Sequence, residues 1–346
     1  MATITIIGAG MMGSALAFPA RENGNEVRLV GTHLDKEIID SCKQCGTHPK
    51  FDRPFPKGVK YYYLEEADQA IDGCDFVICG VSSFGVEWFA KNVLPRIPAN
   101  TPVLAVTKGL LDQEDGSLKT YPQYWCEEEE KRGVKRNMNA IGGPCTSYEL
   151  VAHDASHVTF CGSNPETLRF LKGCMETDYY HISLSTDITG IEAAVALKNG
   201  YALGVALSIG ANRKQFGDET LHFNSQAALF GQGVKEMREL LKLISGNDDT
   251  LAVGAGDLYV TVYGGRTRLV GILLGEGLTI DEALDKLKGV TLESLVVAKR
   301  VNAAMLKKYS KEELKEKFPL LAHVALLIAG GQAPIPWKSF TSENLI

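Results

Sequence analysis

Five β-prone residues, Thr3–Ile7, run directly into the glycine-rich segment GAGMMGSALA at positions 8–17. This is a GxGxxG pattern between a strand and an amphipathic helix, the context in which it binds a dinucleotide. Gly8 permits the tight turn, Gly10 lets the backbone approach a pyrophosphate, and Gly13 allows the helix to pack closely. The helix N-terminus then turns its unpaired amides toward the anion. Gly8, Gly10, Met11, Met12, Gly13 and Ser14 are the candidate cofactor-binding residues of this loop. Asn23-Gly24-Asn25 ends the helix, and Glu26–Val30 supplies a second strand, completing a βαβ unit. At the end of that strand an Asp or Glu usually holds the adenosine ribose 2′-hydroxyl. Gly31 and Thr32 stand there instead, with His33 and Lys36 close by to meet a 2′-phosphate. The balance tilts toward NADP over NAD, although an ordinary loop role for His33 explains the residue equally well.

Compact apolar runs at 75–79 (DFVIC) and 102–106 (PVLAV) have the composition of buried parallel strands. Between them, 86–94 reads as a crossover helix stopped by Pro95. The alternation predicts an α/β fold, an N-terminal Rossmann-type doubly wound sheet. Near Thr186-Asp187 the pattern turns helical without a Pro/Gly/Ser linker or an internal repeat. We therefore expect an NAD(P)-binding domain at 1–186 and an all-helical substrate-binding and catalytic domain at 187–346, as 346 residues allow.

The net charge of -6 offers no general attraction for nucleic acid or acidic membranes, so an anionic substrate would need a local basic site. The first residues lack the basic segment of a secretory peptide. No apolar run reads as both long enough and free enough of charge to span a bilayer. Eight cysteines are scattered between Cys42 and Cys174, which fits reduced thiols in a cytoplasmic protein. Cys42 and Cys45 form a lone CxxC with no second pair or histidine cluster at ligand spacing, so no metal site is expected.

The stretch GIEAAVALKNG at 190–200 opens a helix. Ile188, Ile191, Val195, Ala202 and Val205 form one apolar stripe, and Lys198 falls inside it. Burial lowers the pKa of an amine, which makes it a usable proton donor or acceptor. Glu192 and Asn199 share a neighbouring face, able to hydrogen-bond a ligand or the amine. A lysine that snorkels to the surface is the competing reading.

Other polar residues lie at strand ends and glycine-rich segments. Thr107-Lys108-Gly109 follows a strand, where α/β sheets bind ligands. Gly142-Gly143-Pro144 leads into Cys145, Thr146, Ser147 and Glu149, either a set of amides offered to a ligand or only a helix cap. A second glycine-rich turn is expected at 254–258 (GAGDL), with Asp257 and Thr261 one helical turn apart. Gly264 and Gly265 then present Arg266, either a phosphate clamp or a flexible loop with a solvated arginine. The acidic run 127–130 reads as a solvated helix end. Thr279 with Glu282 and Ser310 with Glu313 read as capping boxes, the second helix stopping before Pro319. The tail with Pro334 and Pro336 reads as an irregular surface segment.

Taken in order, GAGMMGS, VTKG, GGP, ALKNG, GAGDL and YGGRTR resemble the NAD(P)-dependent glycerol-3-phosphate dehydrogenase family over nearly the whole chain. The resemblance implies reversible hydride transfer between a nicotinamide and C2 of dihydroxyacetone phosphate or sn-glycerol 3-phosphate. It implies a cytoplasmic homodimer that serves glycerophospholipid and carbohydrate metabolism. Lys198 is then the general acid/base, Asp257 its support with Thr261 close by, and Lys108 a neighbour of cofactor and substrate. Arg266 binds the substrate phosphate and approaches the cofactor, as do Ser147 and Glu293 on the cofactor side. Gly143, Cys145, Asn199, Gly265 and Thr267 complete the implied substrate pocket. Three positions depart from the family: Thr267 replaces an asparagine, Cys145 replaces Ser, Thr or Asn, and Ser294 replaces a common glycine. The alternatives are a related dehydrogenase using another phosphorylated ketone or a β-hydroxyacid, and a cofactor-binding regulator without catalysis.

Overall fold

A computed structural model describes residues 1–217, 222–290 and 292–341; the side chains of Glu293 and Thr341 lie outside the described residues. The chain forms two compact units, Met1–Lys108 with Thr120–Glu192, and Gly109–Lys119 with Ala193–Ile346. The first unit carries an eight-stranded sheet of β1 (Thr3–Ile7), β2 (Glu26–Val30), β3 (Lys60–Tyr62), β4 (Phe76–Cys79), β5 (Val103–Ala105), β8 (Met138–Gly142), β9 (Ser156–Gly162) and β10 (Tyr180–Ser185). β6 (Leu110–Asp112) and β7 (Leu118–Thr120) form a separate two-stranded sheet. The large sheet runs β10-β9-β8-β5-β4-β1-β2-β3. Its pairings are parallel except β8 with β9, where Asn139 faces Gly162.

The strand order reverses between β1 and β4, a topological switch point of the kind at whose strand carboxyl ends α/β sheets bind ligands. Gly8 and Gly80 meet there. A Cβ on Gly8, at φ 109°, would come within 2.8 Å of the Gly80 carbonyl carbon. Gly13 is needed for the same reason, since a Cβ would strike the Gly8 carbonyl oxygen. Core strands β1 and β4 are buried along nearly their whole length, as a sheet covered on both faces requires.

The second unit is built on helix Ile188–Phe216, 29 residues long. The apolar stripe is not its organising feature, because residues from Ile191 to Lys198 and from Gly200 to Ser208 are buried on every side. This helix also has the length and apolarity to cross a membrane, contrary to the sequence expectation, but 89% of that window is buried inside the protein. Its neighbours reach it through glycines. A Cβ on Gly271 would strike the Leu203 carbonyl oxygen, and one on Gly275 the Leu207 carbonyl oxygen, so helix Thr267–Gly275 packs backbone against backbone. Gly254 likewise leaves room for Met237 Cε at 2.8 Å and the Ala194 carbonyl oxygen at 3.0 Å.

Two local readings change. GAGDL is not a turn; it lies inside helix Leu251–Gly264, where its glycines serve packing. The acidic run is not uniformly solvated either. Glu129 is fully buried, 2.7 Å from the equally buried Arg136 guanidinium, whose remaining donors reach the carbonyls of Pro98, Ile97 and Thr101. Both capping boxes form, at Thr279–Glu282 and Ser310–Glu313. The tail is a 3-10 turn at Trp337–Thr341 as far as it is described. All eight cysteines are free thiols.

Candidate active site

In the first unit the β1 loop leads into helix Met11–Glu22. A Cβ on Gly10 would meet no atom within 4 Å among the described residues, so open space lies in front of the amides at this helix start. Met11 and Met12 are half-buried against the core. Ser14 is fully buried, and its hydroxyl donates to the Ala9 carbonyl at 3.0 Å, which braces the loop from within. Sequence reasoning missed Asp35 here. Its Oδ2 accepts from the Ala9 amide at 3.1 Å, the Thr32 amide at 2.8 Å and the Thr32 hydroxyl at 2.8 Å, tying the two loops at the sheet's edge together. An Asp three residues after Thr32, just before a helix, is a turn and cap signal that could have drawn attention to it.

A cavity of about 560 Å³ opens beyond β2, lined by Gly31, Thr32, His33, Lys36, Ile39, Tyr63, Leu64 and Glu65. The histidine ring lies 5.4 Å from the Trp88 ring. With the open Gly10 loop, this cavity fits the adenosine end of a dinucleotide, and its exposed His33 and Lys36 suit an additional phosphate.

Beyond β5, Lys108 Nζ donates to the Gly143 carbonyl at 3.2 Å. Gly143 holds φ 117°, and a Cβ there would lie 3.2 Å from Val158 Cα. The adjoining Thr146 is a helix cap, its hydroxyl accepting from the Glu149 amide at 3.4 Å. Ser147 begins that short helix and is half-buried, as is Cys145. The Cys145 thiol makes a long contact of 3.9 Å to the Thr146 carbonyl.

In the second unit, Gly254 packs on Ala194, and one turn further along each helix Asp257 meets Lys198. The Lys198 ammonium donates to Asp257 Oδ1 at 2.5 Å, with 8% and 1% of the residues exposed. Lys198 neither snorkels nor stands alone, since the carboxylate offsets the cost of its burial. Thr261 is buried, and its hydroxyl donates to the Asp257 backbone carbonyl at 2.7 Å rather than to the pair. Asn199 is half-buried beside Lys198.

Gly265 closes helix Leu251–Gly264, its amide donating to the Thr261 carbonyl at 3.0 Å. A Cβ on Gly265 would lie 2.6 Å from that same oxygen. Arg266 is exposed at the N-cap of helix Thr267–Gly275, and no hydrogen bond from its guanidinium is found among the described residues. Thr267 is buried in the first helical turn. An arginine at a helix N-terminus is an anion site in two respects, fork and amides. Of the family departures, Ser294 is fully buried and its hydroxyl has no hydrogen-bond partner among the described residues, and the side chain of Glu293 lies outside the described residues.

Residues 3–168 match the NAD-dependent glycerol-3-phosphate dehydrogenase N-terminus model, and residues 187–337 match the C-terminus model of the same family. An NADP(+)-dependent glycerol-3-phosphate dehydrogenase of Archaeoglobus fulgidus is 32% identical over 287 residues, 82% of this chain and 83% of the relative. The crystal structure of a glycerol-3-phosphate dehydrogenase from Coxiella burnetii superposes with TM-score 0.79 at 25% identity, covering 98% of this chain and 97% of the other. A Plasmodium falciparum structure of that name has TM-score 0.83 at 20% identity, covering 100% and 96%, a likeness of fold alone.

Proposed function

The chain belongs to the NAD-dependent glycerol-3-phosphate dehydrogenase family, and from that membership we propose that Lys198 is the general acid/base of a dihydroxyacetone phosphate reductase. It is an NAD(P)-dependent oxidoreductase acting on a CH–OH group. The observation that carries the assignment is the buried Lys198–Asp257 pair, an amine held at one point by a carboxylate.

The residues then divide the work. The Gly8–Gly10–Gly13 loop and the His33–Lys36 cavity bind the cofactor, with NADP favoured by the two basic side chains. When bound, the nicotinamide supplies the hydride to, or takes it from, C2 of the substrate. Lys198 gives a proton to the C2 oxygen in reduction and takes it back in oxidation. Asp257 fixes the direction of that ammonium, and Thr261 stiffens the turn that carries Asp257. Arg266 with the amides of the Thr267 helix start holds the phosphate, and Thr267 supplies a hydroxyl where relatives use an amide. Lys108, steadied by Gly143, adds positive charge on the cofactor and substrate side, with Cys145 and Ser147 following Gly143 in the sequence. A cytoplasmic location and a homodimer complete this reading. Eight free thiols support a reducing compartment, and twofold dimers are the commonest closed assembly.

The test is oxidation of NADPH or NADH with dihydroxyacetone phosphate, compared with unphosphorylated dihydroxyacetone. The reading expects turnover with the phosphorylated ketone and a strong loss without the phosphate. Cofactor binding without turnover on any phosphorylated ketone would favour a regulator instead.

A further inference from the structure

A dinucleotide-binding sheet usually sets an acid against the adenosine ribose from the end of its second strand. Here that position has no room for one. A Cβ at Gly31, just past β2, would lie 2.6 Å from Ile39 Cγ1 and 3.3 Å from Asp35 Cβ. Asp35 fills this space from the other side. It occupies the N-cap of helix Lys36–Cys45, yet among the described residues its side chain makes no cap hydrogen bond. Aspartate is a preferred capping residue, so a carboxylate turned away from its own helix calls for another role.

Its three bonds run backward along the chain and share one oxygen. Oδ2 accepts from the Thr32 amide and the Thr32 hydroxyl, each at 2.8 Å, and from the Ala9 amide at 3.1 Å. Thr32 in turn opens the turn through His33 and Leu34: the Asp35 amide donates to the Thr32 carbonyl at 3.0 Å, and the Leu34 amide to the Thr32 hydroxyl at 3.3 Å. That turn carries the exposed His33 to the cavity, and exposed Lys36 follows it as the first residue of the helix. Ala9 sits between Gly8 and Gly10 in the dinucleotide loop. A single oxygen of a buried carboxylate thus joins the backbone of that loop to the turn bearing the two basic side chains.

Resting on the functional reading above, we propose that Asp35 is a positioning residue for coenzyme choice, holding His33 and Lys36 in register with the Gly10 loop. A ligand gripped at two points binds best when those points are held at its own spacing beforehand. NADPH would meet both, with its pyrophosphate and its 2′-phosphate. NADH would meet the first alone and be indifferent to the register. Charge by itself makes the opposite prediction, since a carboxylate repels a nearby phosphate and its removal would favour NADPH.

The experiment measures Kd for NADPH and for NADH by titration of the full chain in the wild type, Asp35→Ala and Asp35→Asn. Asparagine keeps one oxygen able to receive all three bonds and loses the charge. The ratio of Kd for NADH over Kd for NADPH should fall about tenfold or more in Asp35→Ala, the size of a lost charge-assisted contact, and stay within about threefold of the wild type in Asp35→Asn. If the alanine variant is not recovered folded, Asp35→Ser replaces it, because serine caps the helix while its shorter side chain leaves the Ala9 amide unmet. An unchanged ratio in the folded alanine or serine variant, with both affinities falling together, leaves Asp35 a structural role and overturns the proposal. A rising ratio, or an asparagine variant that behaves as alanine does, makes charge the cause and overturns it too. A wild type that binds NADPH no more tightly than NADH fails differently: it removes the 2′-phosphate reading of the His33–Lys36 cavity, and the inference with it.

Discussion

Lys198 and Asp257 face each other across two helices whose register is set by a glycine one turn away. Gly254 lets the backbone of helix Leu251–Gly264 rest on Ala194, and the next turn then delivers Asp257 Oδ1 to 2.5 Å from the Lys198 ammonium. The glycine-rich GAGDL segment is therefore a packing device that aims a carboxylate. Its chemical effect lies three residues from its steric one.

The phosphate contact is the first test. On the proposed function, Arg266→Ala removes a charge-assisted hydrogen bond to the substrate phosphate, a net loss of about 1.5–3 kcal/mol. KM for dihydroxyacetone phosphate should rise about 10–150-fold by the same arithmetic, with kcat much less affected. With unphosphorylated dihydroxyacetone the change should be small. Equal losses on both ketones would take Arg266 away from the phosphate.

On the proposed function, coenzyme choice depends on the cavity beyond β2. In the double variant His33→Ala, Lys36→Ala, the ratio of kcat/KM for NADPH over NADH should fall by about tenfold or more as charged contacts to a 2′-phosphate disappear. Steady-state kinetics with each coenzyme checks it. An unchanged ratio means that the 2′-position lies elsewhere.

Stability should carry a pH signature from Glu236. This residue is buried and accepts hydrogen bonds from the Leu320 amide at 2.7 Å, the Leu321 amide at 3.0 Å, Gln232 at 2.7 Å and Tyr201 at 3.1 Å, so it holds the start of helix Pro319–Ile328. Burial pushes its carboxyl up to about 7, against an ordinary 4.5. The folded state thus binds the proton more tightly, so stability from this group is full below 4.5 and is lost as pH rises through about 7. Thermal unfolding should show Tm falling between pH 5 and 7.5 in the wild type, with a shallower fall in Glu236→Gln. The variant should also be less stable at all pH values, because its amide group cannot accept from both backbone amides. Parallel Tm profiles would show that Glu236 does not titrate in that range.

Much of the first unit could be read from the sequence because its signals are local. Thr3–Ile7 followed by Gly8, Gly10 and Gly13 dictates a strand, a turn and a helix, and Thr279 and Ser310 cap their helices through residues three positions away. What could not be read depends on partners distant in sequence. Glu129 looks solvated in an acidic run until Arg136 folds back onto it, and GAGDL looks like a turn until Ala194 is set against Gly254. Helix Ile188–Phe216 shows an apolar stripe, but a stripe cannot reveal that the other faces are also covered by glycine-mediated packing. Lys198 was legible as an odd cation on a buried face; its partner Asp257 was legible through the family resemblance and not from spacing. Asp35 was not marked as a site residue, since its role comes from what surrounds it rather than from spacing.

The central claim is that Lys198 moves the proton, and kcat of Lys198→Ala for reduction of dihydroxyacetone phosphate at saturating substrate and coenzyme tests it most directly. Loss of a positioned general acid is expected to lower kcat by about 10²–10⁴-fold, with cofactor binding retained. A folded Lys198→Ala protein that turns over within about threefold of the wild-type rate would contradict the account, because no group worth that factor would have been removed.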